Sequence, residues 1–106
     1  MACYILNAAI LPSFGSFRYS GPLTAEEAAA RLPDDAVSAI GHASSAVVLS
    51  KLLSRSVMVS RVPVQLLPGD SALVFRVKGR LPEGVVLDEQ SIESIGVEFG
   101  WLERLD

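Results

Sequence analysis

A strand-like run, a glycine turn and a helix-like run follow one another in the middle of the chain. Residues 35–40 read as a strand, Gly41 and His42 follow, and residues 43–54 contain neither glycine nor proline. Apolar residues within 43–54 recur at helical spacing, which predicts a helix with one buried face. This order of elements is typical of α/β proteins and restricts the fold more than any other feature.

The rest of the chain also alternates between strand and helix patterns. Thr24 and Glu27 form a capping box, which predicts a helix that ends before Pro33. Asp88 can cap a further helix that Gly96 ends. We expect strands over residues 2–7 and 71–80 and from residue 97 onward, an edge strand or hairpin near residues 17–19, and extended chain at residues 57–59 and 62–64. The sequence therefore predicts an α/β fold.

Length and hydropathy limit the class of protein. The chain has 106 residues, which fits a single domain over residues 1–106. Half of the residues are apolar and the mean hydropathy is +0.40, yet no apolar run approaches the roughly 20 residues of a membrane span. We expect the apolar excess in a core and a subunit interface, with no membrane partner. No secretory signal is apparent and Cys3 is a single cysteine, so a cytoplasmic location is predicted.

The net charge of −3 hides a strong asymmetry along the chain. Residues 51–80 carry a net charge of +5, whereas residues 81–106 carry −6. The overall charge argues against binding of long DNA or RNA, but the basic segment could hold a small, highly charged ligand. The alternative is an arginine-rich surface that the acidic end of the chain balances.

The predicted strand over residues 71–80 has two different faces. Leu73, Phe75 and Val77 point to one side, while Val74, Arg76, Lys78 and Arg80 point to the other. The cations are roughly 7 Å apart, close to the spacing of successive phosphates in an extended nucleic-acid strand. Alternatively, this cationic face is simply solvated and discourages edge pairing.

Several enzyme classes are excluded or weakened by what the sequence lacks. One histidine and one cysteine are too few soft ligands for a zinc site within one chain. The sequence has no Gly-x-Ser-x-Gly elbow and no Walker or dinucleotide-binding glycine pattern. We therefore expect no metal and no cofactor.

The turn from Gly41 to Ser45 is the strongest candidate site. Amides at a helix start, a glycine that permits close approach and the hydroxyls of Ser44 and Ser45 can bind a phosphate oxygen, with His42 beside it. The positive helix end disfavours an imidazolium, so His42 would need a nearby carboxylate to act as an acid. Alternatively, Ser44 or Ser45 merely caps the helix and His42 packs on its surface.

Read together, several segments resemble one family, the viral anti-CRISPR ring nucleases of type III systems and their bacterial relatives. The most specific pieces are Gly41-His42-Ala-Ser44-Ser45 and Arg80-Leu-Pro-Glu83-Gly84. The others are Tyr4-Ile-Leu-Asn7, Leu49-Ser-Lys-Leu-Leu53, Ser60-Arg61-Val62 and Gly69-Asp70-Ser-Ala-Leu-Val-Phe-Arg76. The sequence departs from the family at Ala43, at Ser60 and in the loop after Asn7.

The resemblance implies a mixed β-sheet flanked by helices, a two-fold homodimer and metal-independent cleavage of cyclic tetra-adenylate, the second messenger of type III CRISPR defence. It implies that His42 is the catalytic acid, that Glu83 orients or charges it, and that Arg80 stabilises the phosphate. Residues implied to contact the ligand are Asn7, Gly41, Ser44, Ser45, Arg61 and Val64.

Two other functions remain open at this point. The chain could capture a cyclic oligoadenylate as a sponge or sensor without cutting it, although retention of both His42 and Glu83 weighs against pure capture. It could also be a structural protein whose apolar surface serves assembly.

Overall fold

The computed structural model describes residues 2–7, 14–41, 43–60, 64–77 and 96–106. Within these ranges the elements are β1 (Cys3–Leu6), β2 (Phe17–Leu23), α1 (Ala25–Arg31), β3 (Val37–Ser38), α2 (Ala43–Leu53), β4 (Ser71–Val77) and β5 (Val97–Arg104). The helix predicted over residues 88–95 lies outside the described ranges. Neither α1 nor α2, the helices of the described residues, is long and apolar enough to cross a membrane.

The strands form one mixed five-stranded sheet in the order β2-β5-β4-β1-β3. β1 pairs in parallel with both β3 and β4, while β5 is antiparallel to β4 and β2. The expected mixed α/β architecture is therefore present, and the predicted strand near residues 17–19 is at an edge. This edge strand extends to Leu23, while the strand expected over residues 35–40 is only two residues long as β3.

Both described helices cover the same face of the sheet. Alternate residues of the central strands, including Ile5, Leu73 and Phe75, pack in one core cluster with Ala28 of α1 and Leu49 of α2. The predicted inward face of α2 is confirmed, because its Ala46, Leu49 and Leu53 are all buried. The main core thus lies between this sheet face and the two helices.

The opposite face of β4 is solvated only in part, which limits the alternative of a fully solvated cationic face. Val74 lies on that face, as predicted, but it is fully buried with Ala72, Leu66 and Leu102 in a second cluster. Leu66 belongs to the segment before β4, which covers this part of the sheet. Of the predicted cations Arg76, Lys78 and Arg80, the described part of β4 includes Arg76, which is exposed. Lys78 and Arg80 lie outside the described residues.

The predicted capping box at the start of α1 is present. The Thr24 hydroxyl accepts a hydrogen bond from the Glu27 amide at 3.1 Å, and the Glu27 carboxylate accepts one from the Thr24 amide at 3.1 Å. The helix ends at Arg31, before Pro33, as the sequence indicated.

Candidate functional site

The carboxyl ends of β1 and β3 bring Asn7 and Gly41 to the same edge of the sheet. The parallel register pairs Ile5 with Ser38, and the Ala39 amide donates to the Ile5 carbonyl at 2.9 Å. Two residues beyond the Ile5–Ser38 pair, the chains reach Asn7 and Ile40, which Gly41 follows. Ligands of α/β proteins bind at this edge of parallel strands.

A third segment joins this edge beside Ile40. Val59 forms a parallel bridge with Ile40, and the Ser60 amide donates a hydrogen bond of 2.8 Å to the Ile40 carbonyl. Ser60 precedes Arg61 in the sequence, and Ile40 precedes Gly41 and His42. The structure therefore places together the two backbone segments that lead into Arg61 and His42.

Two serine side chains fix the segment before Ser60. The Ser38 hydroxyl donates to the Met58 carbonyl at 2.6 Å. The Ser50 hydroxyl of α2 accepts from the Val57 amide at 2.9 Å and lies 2.8 Å from the Ala46 carbonyl, to which it donates. Residues 57 and 58, which belong to no regular element, are thus hydrogen-bonded to Ser38 of β3 and to Ser50 of α2. Sequence reasoning missed both serines, since these contacts span 20 and seven residues and leave no local pattern.

Ser44 and Ser45 occupy the first turn of α2 instead of preceding it. Ala43 is the first helical residue, so Ser44 and Ser45 are the second and third. Ser44 is half-buried and the Ser45 side chain is buried, at 9% exposure. The first amides of an α-helix have no partner within the helix, so this turn can offer N–H donors to an anion even where a side chain faces inward.

Val64 packs on the face of the sheet opposite the two helices. It is half-buried against the second cluster, which contains Leu66 and Val74. Leu6, which precedes Asn7, packs against the same cluster, and the predicted ligand contact of Val64 stays a prediction.

Arg76 is exposed and forms an ion pair with a carboxylate on the neighbouring strand. Its Nε lies 3.2 Å from Oε1 of Glu98, its register partner on β5. The Arg76 side chain is 56% exposed, so the pair adds little to stability. A phosphate that approached Arg76 would have to compete with Glu98 for the guanidinium.

His42, Arg61, Arg80 and Glu83 lie outside the described residues. Asn7, Gly41, Ser44 and Ser60 are described, and they define one edge of the site at the carboxyl ends of β1 and β3. We refer to this set of four residues as the carboxyl-edge site.

The carboxyl-edge site offers hydrogen-bond donors and few charges. Asn7 is exposed, and Gly41 and Ser44 are half-buried. Asn7 supplies an amide side chain, Ser44 supplies a hydroxyl, and the first turn of α2 supplies the positive end of the helix dipole. This chemistry suits the neutral and anionic oxygens of a phosphate ester.

In comparisons with known proteins, the chain matches uncharacterized proteins of archaeal viruses. An uncharacterized protein of a Sulfolobus islandicus filamentous virus is 35% identical over 104 residues, covering 93% of this chain and 87% of that protein. An uncharacterized protein of the Acidianus two-tailed virus is 43% identical over 70 residues, covering 65% of this chain and 60% of that protein. The chain thus matches less than two thirds of the latter protein's length.

A solved structure matches almost the whole fold. B116 of Sulfolobus turreted icosahedral virus superposes with a TM-score of 0.79, covering 98% of this chain and 100% of that one, at 24% identity. The similarity places the protein in a class of compact α/β domains built on a mixed sheet with helices on one face.

The sequence profile of the STIV B116-like family matches residues 3–99. The chain belongs to the STIV B116-like family.

Proposed function

We propose that the protein is a metal-independent ring nuclease that cleaves cyclic tetra-adenylate and so ends type III CRISPR signalling. The observation that carries this proposal is the 2.8 Å bond from the Ser60 amide to the Ile40 carbonyl. Through it, the segments entering Arg61 and His42 meet at the edge where Asn7 leaves β1. An arginine and a histidine beside a helix N-terminus are groups that cleavage of a phosphodiester requires.

In the proposed reaction, RNA supplies its own nucleophile. The ribose 2′-hydroxyl attacks the adjacent phosphorus and loses its proton to solvent, while the bond from phosphorus to the 5′-oxygen breaks. His42 donates a proton to that departing oxygen, Arg80 stabilises the phosphate charge, and Glu83 keeps the imidazole protonated. The product carries a 2′,3′-cyclic phosphate, and positioning plus charge stabilisation account for the rate.

A homodimer accounts for two cuts in one ring. A cyclic tetranucleotide has a two-fold axis that can match the axis of a dimer, so that two copies of His42 face opposite linkages. The expected products are then two linear di-adenylates. In this proposal the ring contacts Asn7, Gly41, Ser44, Arg61 and Val64. The buried Ser45 contributes its backbone amide.

Incubation of excess protein with cyclic tetra-adenylate in EDTA tests the proposal. After denaturation, the nucleotides are separated and identified by mass. Linear di-adenylates support a ring nuclease, while an intact ring that comes off the denatured protein indicates a capture protein. An intact ring that never bound, or cleavage that requires an added metal, would contradict the proposed function.

A further inference from the structure

Arg76 lies on β4 just past the end of β1. The parallel register pairs Leu6, the last residue of β1, with Val74, and Arg76 is two residues further along β4. Alternate residues of a strand are roughly 7 Å apart, so Arg76 lies about that far beyond the Leu6–Val74 pair, toward the carboxyl ends of both strands. Asn7 follows Leu6 at the same end. Arg76 is therefore placed at the edge of the sheet where the carboxyl-edge site begins.

The Arg76 side chain is on the face of the sheet opposite the two helices. Phe75 belongs to the main core cluster and Val74 to the second cluster, and the alternation along β4 places Arg76 on the side of Val74. Val64, a predicted ligand contact, packs against the second cluster on that side. A ligand that contacts Val64 would therefore find Arg76 on the same face of the sheet.

The Arg76 guanidinium is accessible to a phosphate. Its side chain is 56% exposed, and its Nε atom lies 3.2 Å from Oε1 of Glu98. This ion pair engages Nε, while a guanidinium carries four further N–H donors on its two terminal nitrogens. Two of these donors match two oxygens of a phosphate. Because an exposed ion pair contributes little to stability, a phosphate can displace Glu98 at small cost.

Glu98 opposes the binding of an anion at Arg76. Its side chain is 31% exposed, and it is the register partner of Arg76 on β5. Its negative charge repels a phosphate and competes with it for the guanidinium. Arg76 therefore raises the affinity for an anion at this point of the sheet, and Glu98 lowers it.

We propose that Arg76 binds a phosphate of the cyclic oligoadenylate and that Glu98 limits the affinity, so that a bound ligand can dissociate. The identity of the ligand rests on the proposed function. Arg76 stands four residues before Arg80, which the proposed function assigns to the phosphate that is cleaved. Arg76 contacts a neighbouring phosphate of the ring and is a binding residue, whereas Glu98 acts through Arg76 and is a positioning residue.

Ring binding by variants of each partner tests the two roles, because they predict changes of opposite sign. Arg76→Gln should raise the dissociation constant for cyclic tetra-adenylate at least fivefold and make it less dependent on salt, and Arg76→Lys should recover part of that loss. Glu98→Gln should lower the dissociation constant at least twofold. An ion pair that only stabilises the sheet predicts no such opposition, since loss of either partner removes the same contact. Isothermal titration in the His42→Ala background, where the ring is cleaved slowly, measures these constants.

Arg18 and Glu103 provide the matched control. They are register partners on β2 and β5, as Arg76 and Glu98 are on β4 and β5. Glu103 is five residues from Glu98 along β5, a distance of roughly 17 Å. Arg18→Gln and Glu103→Gln change the net charge as the test variants do, and each should leave the dissociation constant within twofold of its parent. Control variants that shift binding as much as the test variants would show that net charge alone is responsible, and would overturn the inference.

The outcomes also distinguish this inference from the proposed function. If the ring binds but Arg76→Gln binds it as tightly as the parent, or if Glu98→Gln weakens binding, the inference is wrong and the nuclease proposal survives. If the variants shift binding with the predicted signs but the wild type leaves the ring intact, the inference is supported and the nuclease proposal fails. A parent protein that does not bind the ring contradicts both.

Discussion

The amide of Ser60 donates a 2.8 Å hydrogen bond to the carbonyl of Ile40, joining two chain segments that are 20 residues apart. Each segment leads directly into a residue that the sequence marks for phosphate chemistry, Arg61 in one case and His42 in the other. A main-chain contact therefore joins the two segments that lead into the candidate site, and hydrogen bonds of Ser38 and Ser50 hold the segment before Ser60.

Ser50→Ala should weaken both the fold and ligand binding. The variant leaves the half-buried Val57 amide without its acceptor, which costs about 1–3 kcal/mol in the free energy of unfolding. It also frees the segment before Arg61, so the dissociation constant for cyclic tetra-adenylate should rise while kcat for the bound ring changes little. Urea unfolding and single-turnover kinetics measure the two effects.

The control for this variant is Ser56→Ala, an exposed serine of the same segment. It should change neither quantity. If Ser50→Ala lowers stability but binds the ring as tightly as the wild type, Ser50 supports the fold without positioning the site.

His42→Ala should separate binding from turnover. Loss of a general acid lowers kcat by roughly 100-fold to 10,000-fold, while the other contacts to the ring remain. Isothermal titration with the ring, together with a cleavage time course, measures both quantities. Gln65→Ala, an exposed change in the described part of the chain, should keep full activity. Unchanged turnover in His42→Ala would place the acid at another residue.

The Thr24 capping box can be tested by its removal. Thr24→Ala removes the acceptor of the Glu27 amide and should lower the free energy of unfolding by about 1 kcal/mol. Thr24→Ser keeps a hydroxyl and should behave like the wild type within about 0.5 kcal/mol. Equal stability of all three proteins in urea unfolding would show that the cap contributes nothing to this fold.

The elements that could be predicted from the sequence are those that local chemistry determines. The Thr24 box, the buried face of α2 and the strand beginning at Ser71 each follow from a pattern within a few residues. The alternation of β4 put Val74 on the correct face, opposite Leu73, but its burial there depends on Leu66, which reaches over the sheet from another segment. Likewise, no local pattern could show that Ser60 meets Ile40, because a contact across 20 residues depends on the tertiary fold.

Asp70 should make stability depend on pH in the acid range. Its buried carboxylate accepts hydrogen bonds from the Ala2 and Leu67 amides at 2.8 Å and 2.9 Å. The bond from Ala2 is the main cause of a pKa below the ordinary value for an aspartate. The folded state therefore favours the ionised form, and its contribution is complete above the unfolded pKa of about 4 and is lost as the pH falls through the folded pKa.

Asp70→Asn keeps the shape of the side chain but replaces one accepting oxygen with a donor. It should cost about 1–3 kcal/mol at neutral pH, and its free energy of unfolding should fall less between pH 5 and pH 2 than that of the wild type. Asp34→Asn, a change at an exposed residue, is the control and should retain the wild-type profile. Parallel pH profiles for Asp70→Asn and the wild type would show that Asp70 is not the titrating group.

The most direct test of the central claim is ring cleavage in water enriched in oxygen-18, with EDTA present. Attack by the 2′-hydroxyl predicts early products that are di-adenylates ending in a 2′,3′-cyclic phosphate, with no heavy oxygen in their mass. An intact ring after excess protein, or a first product that already carries one heavy oxygen, would contradict the account.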